Sequence, residues 1–160
     1  MFANPLTERL ADFICGIGID VRPAHLPDAT FLPGLRISDG VIFVDEEKLA
    51  HPGDLLHEAG HLAVTDPSMR NTPELATPSD GDEIAAIAWS YAAAKHLDID
   101  PAIVFHEHGY RGSSKALVAD FDAERTFGQP LLQYYGMTFE KRQAAENGVP
   151  PFPFMVRWLR

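Results

Sequence analysis

The segment Asp54-Leu55-Leu56-His57-Glu58-Ala59-Gly60-His61-Leu62-Ala63-Val64 decides how the rest of the chain is read. Its run of apolar residues predicts a short helix, and on a helix of 3.6 residues per turn positions i and i+4 stand one above the other. His57 and His61 are therefore expected to offer two imidazoles to one metal ion. Glu58 falls beside the pair, placed to take a proton from a water at the metal without itself becoming a ligand. The helix should stop at Thr65-Asp66-Pro67, because proline disfavours helical backbone at the residue before it.

Upstream, Leu35 to Ser38 and Val41 to Val44 are β-prone runs flanking Asp39-Gly40, a strong hairpin signal. Asn4-Pro5 opens a first amphipathic helix that closes near Gly16. Between them, Pro23, Pro27 and Pro33 predict a loop, or a strand broken at its edge. Downstream, Pro67, Pro73 and Pro78 mark a surface loop up to Gly81. The most apolar helix follows, Glu83 to Ala94, capped by Ser79 or Asp80 with Asp82 or Glu83 completing a capping box. Apolar on nearly every side, it should be buried, with Trp89 and Tyr91 as core residues. Further short helices are expected from Pro101 to about Phe105, from Ser113 or Ser114 to Phe127 with Gly128 closing it, over Leu131 to Tyr135, and from a Thr138 cap to Asn147. The tail holding Phe152, Phe154 and Trp158 should be extended, as a partner surface or packed on the body. The expected fold class is α+β, mostly helical, with a small β-hairpin or sheet before the metal helix, in one domain over residues 1–160.

A chain of 160 residues with 46% hydrophobic content can build a core of its own. Its net charge of -10 offers no basic surface for a phosphate backbone or an anionic bilayer, so neither nucleic acid nor membrane is an expected partner. Cys15 is the one cysteine, which excludes an internal disulfide and a thiolate metal site; its apolar surroundings predict a buried side chain. The N-terminal residues lack the basic start and apolar core of a secretory signal, and a cytoplasmic location is expected.

A catalytic zinc takes three protein ligands and keeps a fourth position open. Val64 and Pro67 stand where a third histidine motif would continue, which excludes that class. The expected third ligand is Glu83, a carboxylate on the first turn of an otherwise apolar helix, where burial without a partner would be costly. Asp82 is the alternative ligand, and closing a capping box with Asp80 is the alternative role for Glu83.

The hairpin over Leu35 to Val44, then His57-Glu58-Ala59-Gly60-His61, then Glu83-Ile84-Ala85-Ala86-Ile87-Ala88-Trp89 resembles the ImmA/IrrE-type zincin-like metallopeptidases over roughly Leu35 to Ala94. The resemblance implies a gluzincin-type intracellular peptidase with Zn2+ held by His57, His61 and Glu83, Glu58 as catalytic residue, and a peptide or protein substrate. Residues beyond Ala94 carry no part of the likeness, and no helix-turn-helix extension accompanies it. For the developing oxyanion, His106, His108, Tyr110 and Arg111 form the one cluster of suitable donors outside the motif, with Tyr110 and His108 the first choices and an ordinary polar loop the alternative. His25, His51 and His96 are expected to be ordinary polar residues. The competing reading is a non-enzymatic protein that holds zinc for its fold or for a partner. Structural zinc sites usually fill all four positions, often with thiolates, and that reading leaves Glu58 without a purpose.

Overall fold

The computed structural model describes residues 1–28, 30, 32–72, 79–107, 114–124 and 127–160. The other elements pack around the chain's most apolar helix, numbered α3 in chain order (Asp80–His96). Ser79 starts it: its hydroxyl accepts from the Asp82 N–H at 3.1 Å, and the Asp82 carboxylate accepts from the Ser79 N–H at 3.2 Å. This reciprocal capping box satisfies two donors that a helix start leaves open. Ser79→Ala is expected to cost about 1 kcal/mol in a denaturant titration. From Ala85 to Ala94 every residue is buried, as an all-round apolar helix requires.

Helix α2 (Asp54–Val64) packs against α3 over the largest helix contact in the fold, and α1 (Pro5–Gly16) covers α2 from another side. Asn4 caps α1, its side chain accepting from the N–H groups of Leu6 and Thr7. The sheet holds β1 (Asp20–Pro23), β2 (Leu35–Ser38) and β3 (Val41–Val44) in the order β1-β3-β2. β2 and β3 form the expected antiparallel hairpin, and Asp39 and Gly40 at its turn both have positive φ, 52° and 74°. The stretch read as loop or broken strand contributes β1, which pairs parallel to β3 and ends at Pro23, a residue suited to an edge. The fold is thus α+β and mostly helical, with a three-stranded sheet ahead of α2. Among the described residues, no helix is long and apolar enough to cross a membrane.

Four local expectations are corrected. Helix α4 (Ser114–Asp122) stops before Phe127, because Glu124 turns into the left-handed region at φ 58°. Gly128 instead precedes α5 (Gln129–Tyr134), where its φ of 79° and a close approach to the carbonyl of Ile84 both require glycine. Glu140, not Thr138, caps α6 (Lys141–Asn147), by accepting from the N–H groups of Arg142 and Gln143; Thr138 is buried and donates to the Phe154 carbonyl at 2.6 Å. Cys15 is exposed, because the helical phase of α1 turns it off the stripe of Thr7, Leu10, Ala11 and Ile14. Only the stretch Pro101–Ile103 of the expected piece ahead of Phe105 is helical, as a 3₁₀ turn.

The aromatic tail packs on the body. Trp158 stands edge-on to Trp89 at 5.5 Å and to Phe13 at 5.0 Å between ring centroids, and the Trp89 Nε1–H donates to its carbonyl at 2.9 Å. Beyond it, the Arg160 N–H donates to the carbonyl of Ala63, while Arg70 Nε donates to that of Leu62, both at 2.9 Å. These contacts satisfy carbonyls that the last turn of α2 leaves open.

Candidate metal site

The face of α2 that carries the two histidines looks toward the first turn of α3, and the small residue between them sets how close the helices lie. A Cβ on Gly60 would stand 2.9 Å from the Ala86 carbonyl oxygen and 3.1 Å from Ser90 Oγ, so α2 touches α3 with its backbone. At that separation the Glu83 carboxylate spans both imidazoles. Its Oε1 lies 3.5 Å from His57 Nε2 and its Oε2 3.2 Å from His61 Nε2, while the two ring nitrogens are 3.0 Å apart.

These separations test whether a metal fits. Ligands at the usual 2.0–2.1 Å from a tetrahedral zinc are about 3.3–3.4 Å from one another; the ring nitrogens at 3.0 Å, and a Glu83 oxygen facing each ring at 3.2 and 3.5 Å, lie close to that spacing. Two imidazoles and a carboxylate are also the ligand types of a catalytic zinc with one open position. The three converge as a group whose candidate ligand atoms all lie within 4.8 Å of one another. Asp82 is engaged in the capping box with Ser79 and stands outside this group, so the alternative ligand and the capping role expected for Glu83 are both displaced.

Charge and burial suit the same arrangement. Burial, reinforced by the neighbouring His61 and opposed by Glu83, pulls His57 down to about 4, so the imidazole is neutral near pH 7, the form that ligates a metal. The hydrogen bond from His61 holds the Glu83 carboxyl below the usual glutamate range. Burial pushes the Glu58 carboxyl upward, with Asp54 and Glu83 adding to the rise and His61 opposing it. A carboxylate moved upward in this way is a better proton acceptor near neutral pH. Glu58 is not among the converging metal donors. It lines a cleft of about 310 Å³ together with Pro27, Thr30, Leu32 and the β2 residues Leu35, Arg36 and Ile37.

One turn before His57, on the same face of α2, Asp54 accepts a hydrogen bond from His106 Nε2 at 2.8 Å. His106 in turn stacks on His51, with ring centroids 3.7 Å apart. His106, one of the expected oxyanion donors, thus belongs to a half-buried Asp54–His106–His51 array at the N-terminal end of α2. Asp54 escaped the sequence reading, although its position four residues before Glu58 places it on the same helical face. His108, Tyr110 and Arg111 lie outside the described residues. His96 packs against Phe13 and Trp158.

Comparison with protein families, with curated proteins and with solved structures found no match.

Proposed function

We propose that the protein is a zinc-dependent peptidase of the zincin type, with His57, His61 and Glu83 as metal ligands and Glu58 as general base. The observation that carries this reading is the convergence of His57, His61 and Glu83 at zinc-like separations, with Glu58 beside them at a cleft. When bound, zinc supplies Lewis acidity, which polarises a carbonyl and makes water a nucleophile near neutral pH. Glu58 receives the proton of that water on its carboxylate and passes it to the leaving amine.

The cleft favours an extended peptide as substrate. β2 is an edge strand, and the Asp45 N–H to Gly34 carbonyl bond sets the alternation so that the backbone groups of Ile37 face away from β3. A substrate strand laid there would gain main-chain hydrogen bonds beside Glu58 without any demand on its sequence. The proposed location is cytoplasmic, where a reducing environment keeps an exposed thiol such as Cys15 unpaired.

Protein purified without a histidine tag and passed through gel filtration is expected to retain about one zinc per chain by elemental analysis. A chelator should abolish its hydrolysis of an unfolded protein substrate, and added Zn2+ should restore it. Retention of zinc with no hydrolysis across unfolded and peptide substrates would favour the non-enzymatic reading. Absence of tightly held metal would remove both.

A further inference from the structure

A second group of metal-ligating side chains, sharing no residue with the first, lies where the chain leaves β1 and β3. His25 follows Pro23 at the end of β1, while Asp45 and Glu47 follow Val44 at the end of β3; candidate ligand atoms of the three lie within 4.8 Å of one another. All three line one cavity of about 260 Å³, beside Met1 and Phe2. Asp45 is 2% exposed, and a carboxylate so buried needs partners that offset its lost hydration. One oxygen, Oδ2, accepts from the Leu26 N–H at 2.8 Å and faces Lys48 Nζ at 3.8 Å.

The histidine is held toward this carboxylate from both sides. The Ala24 N–H donates to the Val44 carbonyl at 2.8 Å, the Leu26 N–H reaches Asp45, and Lys48 Nζ donates to the Leu26 carbonyl. The residues before and after His25 are therefore tied to the segment that carries Asp45 and Glu47. Such tethering lowers the ordering cost of bringing three ligands to one ion. Glu46, between the two carboxylate residues, is turned to other work: its oxygens accept from the N–H groups of Ala3 and Asn4.

We propose that His25, Asp45 and Glu47 form a second divalent-cation site. One imidazole and two carboxylates suit a borderline cation of the transition series, and at such a nitrogen and oxygen site Zn2+ binds more tightly than Mn2+. With His25 and Glu47 exposed, the ion exchanges readily, so this site binds more weakly than the one on α2 and α3 and empties on gel filtration. Its occupancy bears on the cleft, because Pro27, Thr30 and Leu32, which wall the cleft beside Glu58, follow His25 within seven residues. An ion on His25 pins the start of that wall to the sheet.

Equilibrium dialysis against micromolar free Zn2+ tests the site on the full chain. Wild type is expected to bind one more ion than the double variant His25→Gln/Glu47→Gln, and each single variant should weaken that additional binding by at least tenfold. Both positions are exposed and Asp45 is left in place, so the fold survives; an unchanged near-ultraviolet circular dichroism spectrum checks this. Equal stoichiometry in wild type and the double variant would overturn the proposal, whatever the number bound at His57, His61 and Glu83.

Discussion

Glu58→Gln is expected to lower hydrolysis of a susceptible peptide by roughly a hundredfold to ten-thousandfold, the contribution typical of a positioned general base. Metal content and thermal stability should stay at wild-type values. The substitution keeps the shape of the side chain and removes only its ability to accept a proton. Because Glu58 stands outside the group of His57, His61 and Glu83, the ligand set remains whole. Glutamine also removes the carboxyl whose burial pushes its titration upward, so no buried charge is left without a partner. The contrast with Glu83→Ala is informative. That change removes the one carboxylate bridging the two imidazoles, and both metal and activity should be lost. Full turnover by Glu58→Gln would dismiss the mechanism, and loss of zinc by that variant would make Glu58 a ligand.

Most of the site was legible because its signals are local. His57 and His61 are set by the helical repeat within a single turn, and Pro67 marks where that helix cannot continue. The hairpin announces itself in Asp39-Gly40, whose two positive φ angles suit the twist of the strands it joins. Glu83 required one long-range step, from a carboxylate on an apolar helix to a partner elsewhere in the chain. The premise of that step, burial, does not hold, since the Glu83 side chain is 41% exposed; what the structure shows is its convergence with the two imidazoles. What escaped depends on tertiary geometry that no short window carries. The pairing of Asp20–Pro23 alongside β3 links residues that are distant in sequence, and three prolines hide it. The bond between Asp54 and His106 spans 52 residues. The exposure of Cys15 was within reach, since helical phase rather than the apolar neighbourhood decides it. In the C-terminal half, Glu124 takes the left-handed conformation without a glycine to signal it, which is why α4 ends earlier than its apolar residues suggest.

Gly60→Val is expected to destabilise the protein by about 3 kcal/mol and to weaken zinc binding with it. In an exposed helix, replacing glycine by alanine gains about 1 kcal/mol of helical propensity, so the sign here is set by packing. A Cβ at this position meets the Ala86 carbonyl oxygen at 2.9 Å, Ser90 Oγ at 3.1 Å and Trp89 Cε3 at 3.3 Å. None of these can yield cheaply. Ala86 and Trp89 are fully buried in α3, and Ser90 Oγ already donates to the Ala86 carbonyl at 2.7 Å. The remaining response is for α2 to move off α3. That motion carries His57 and His61 away from Glu83, because the two imidazoles stand on α2 and the carboxylate on α3, the helices that meet at this contact. Gly60→Ala should therefore show a smaller loss in the same direction, with clash exceeding the propensity gain, and valine should add its two methyl groups to that clash. Denaturant titrations with and without Zn2+ separate the two effects, since an ion that binds only the native state adds stability in proportion to its affinity. The increment from Zn2+ should shrink from wild type to alanine to valine; a stabilised Gly60→Ala protein with the full increment would show that the helices do not need this glycine to close the site.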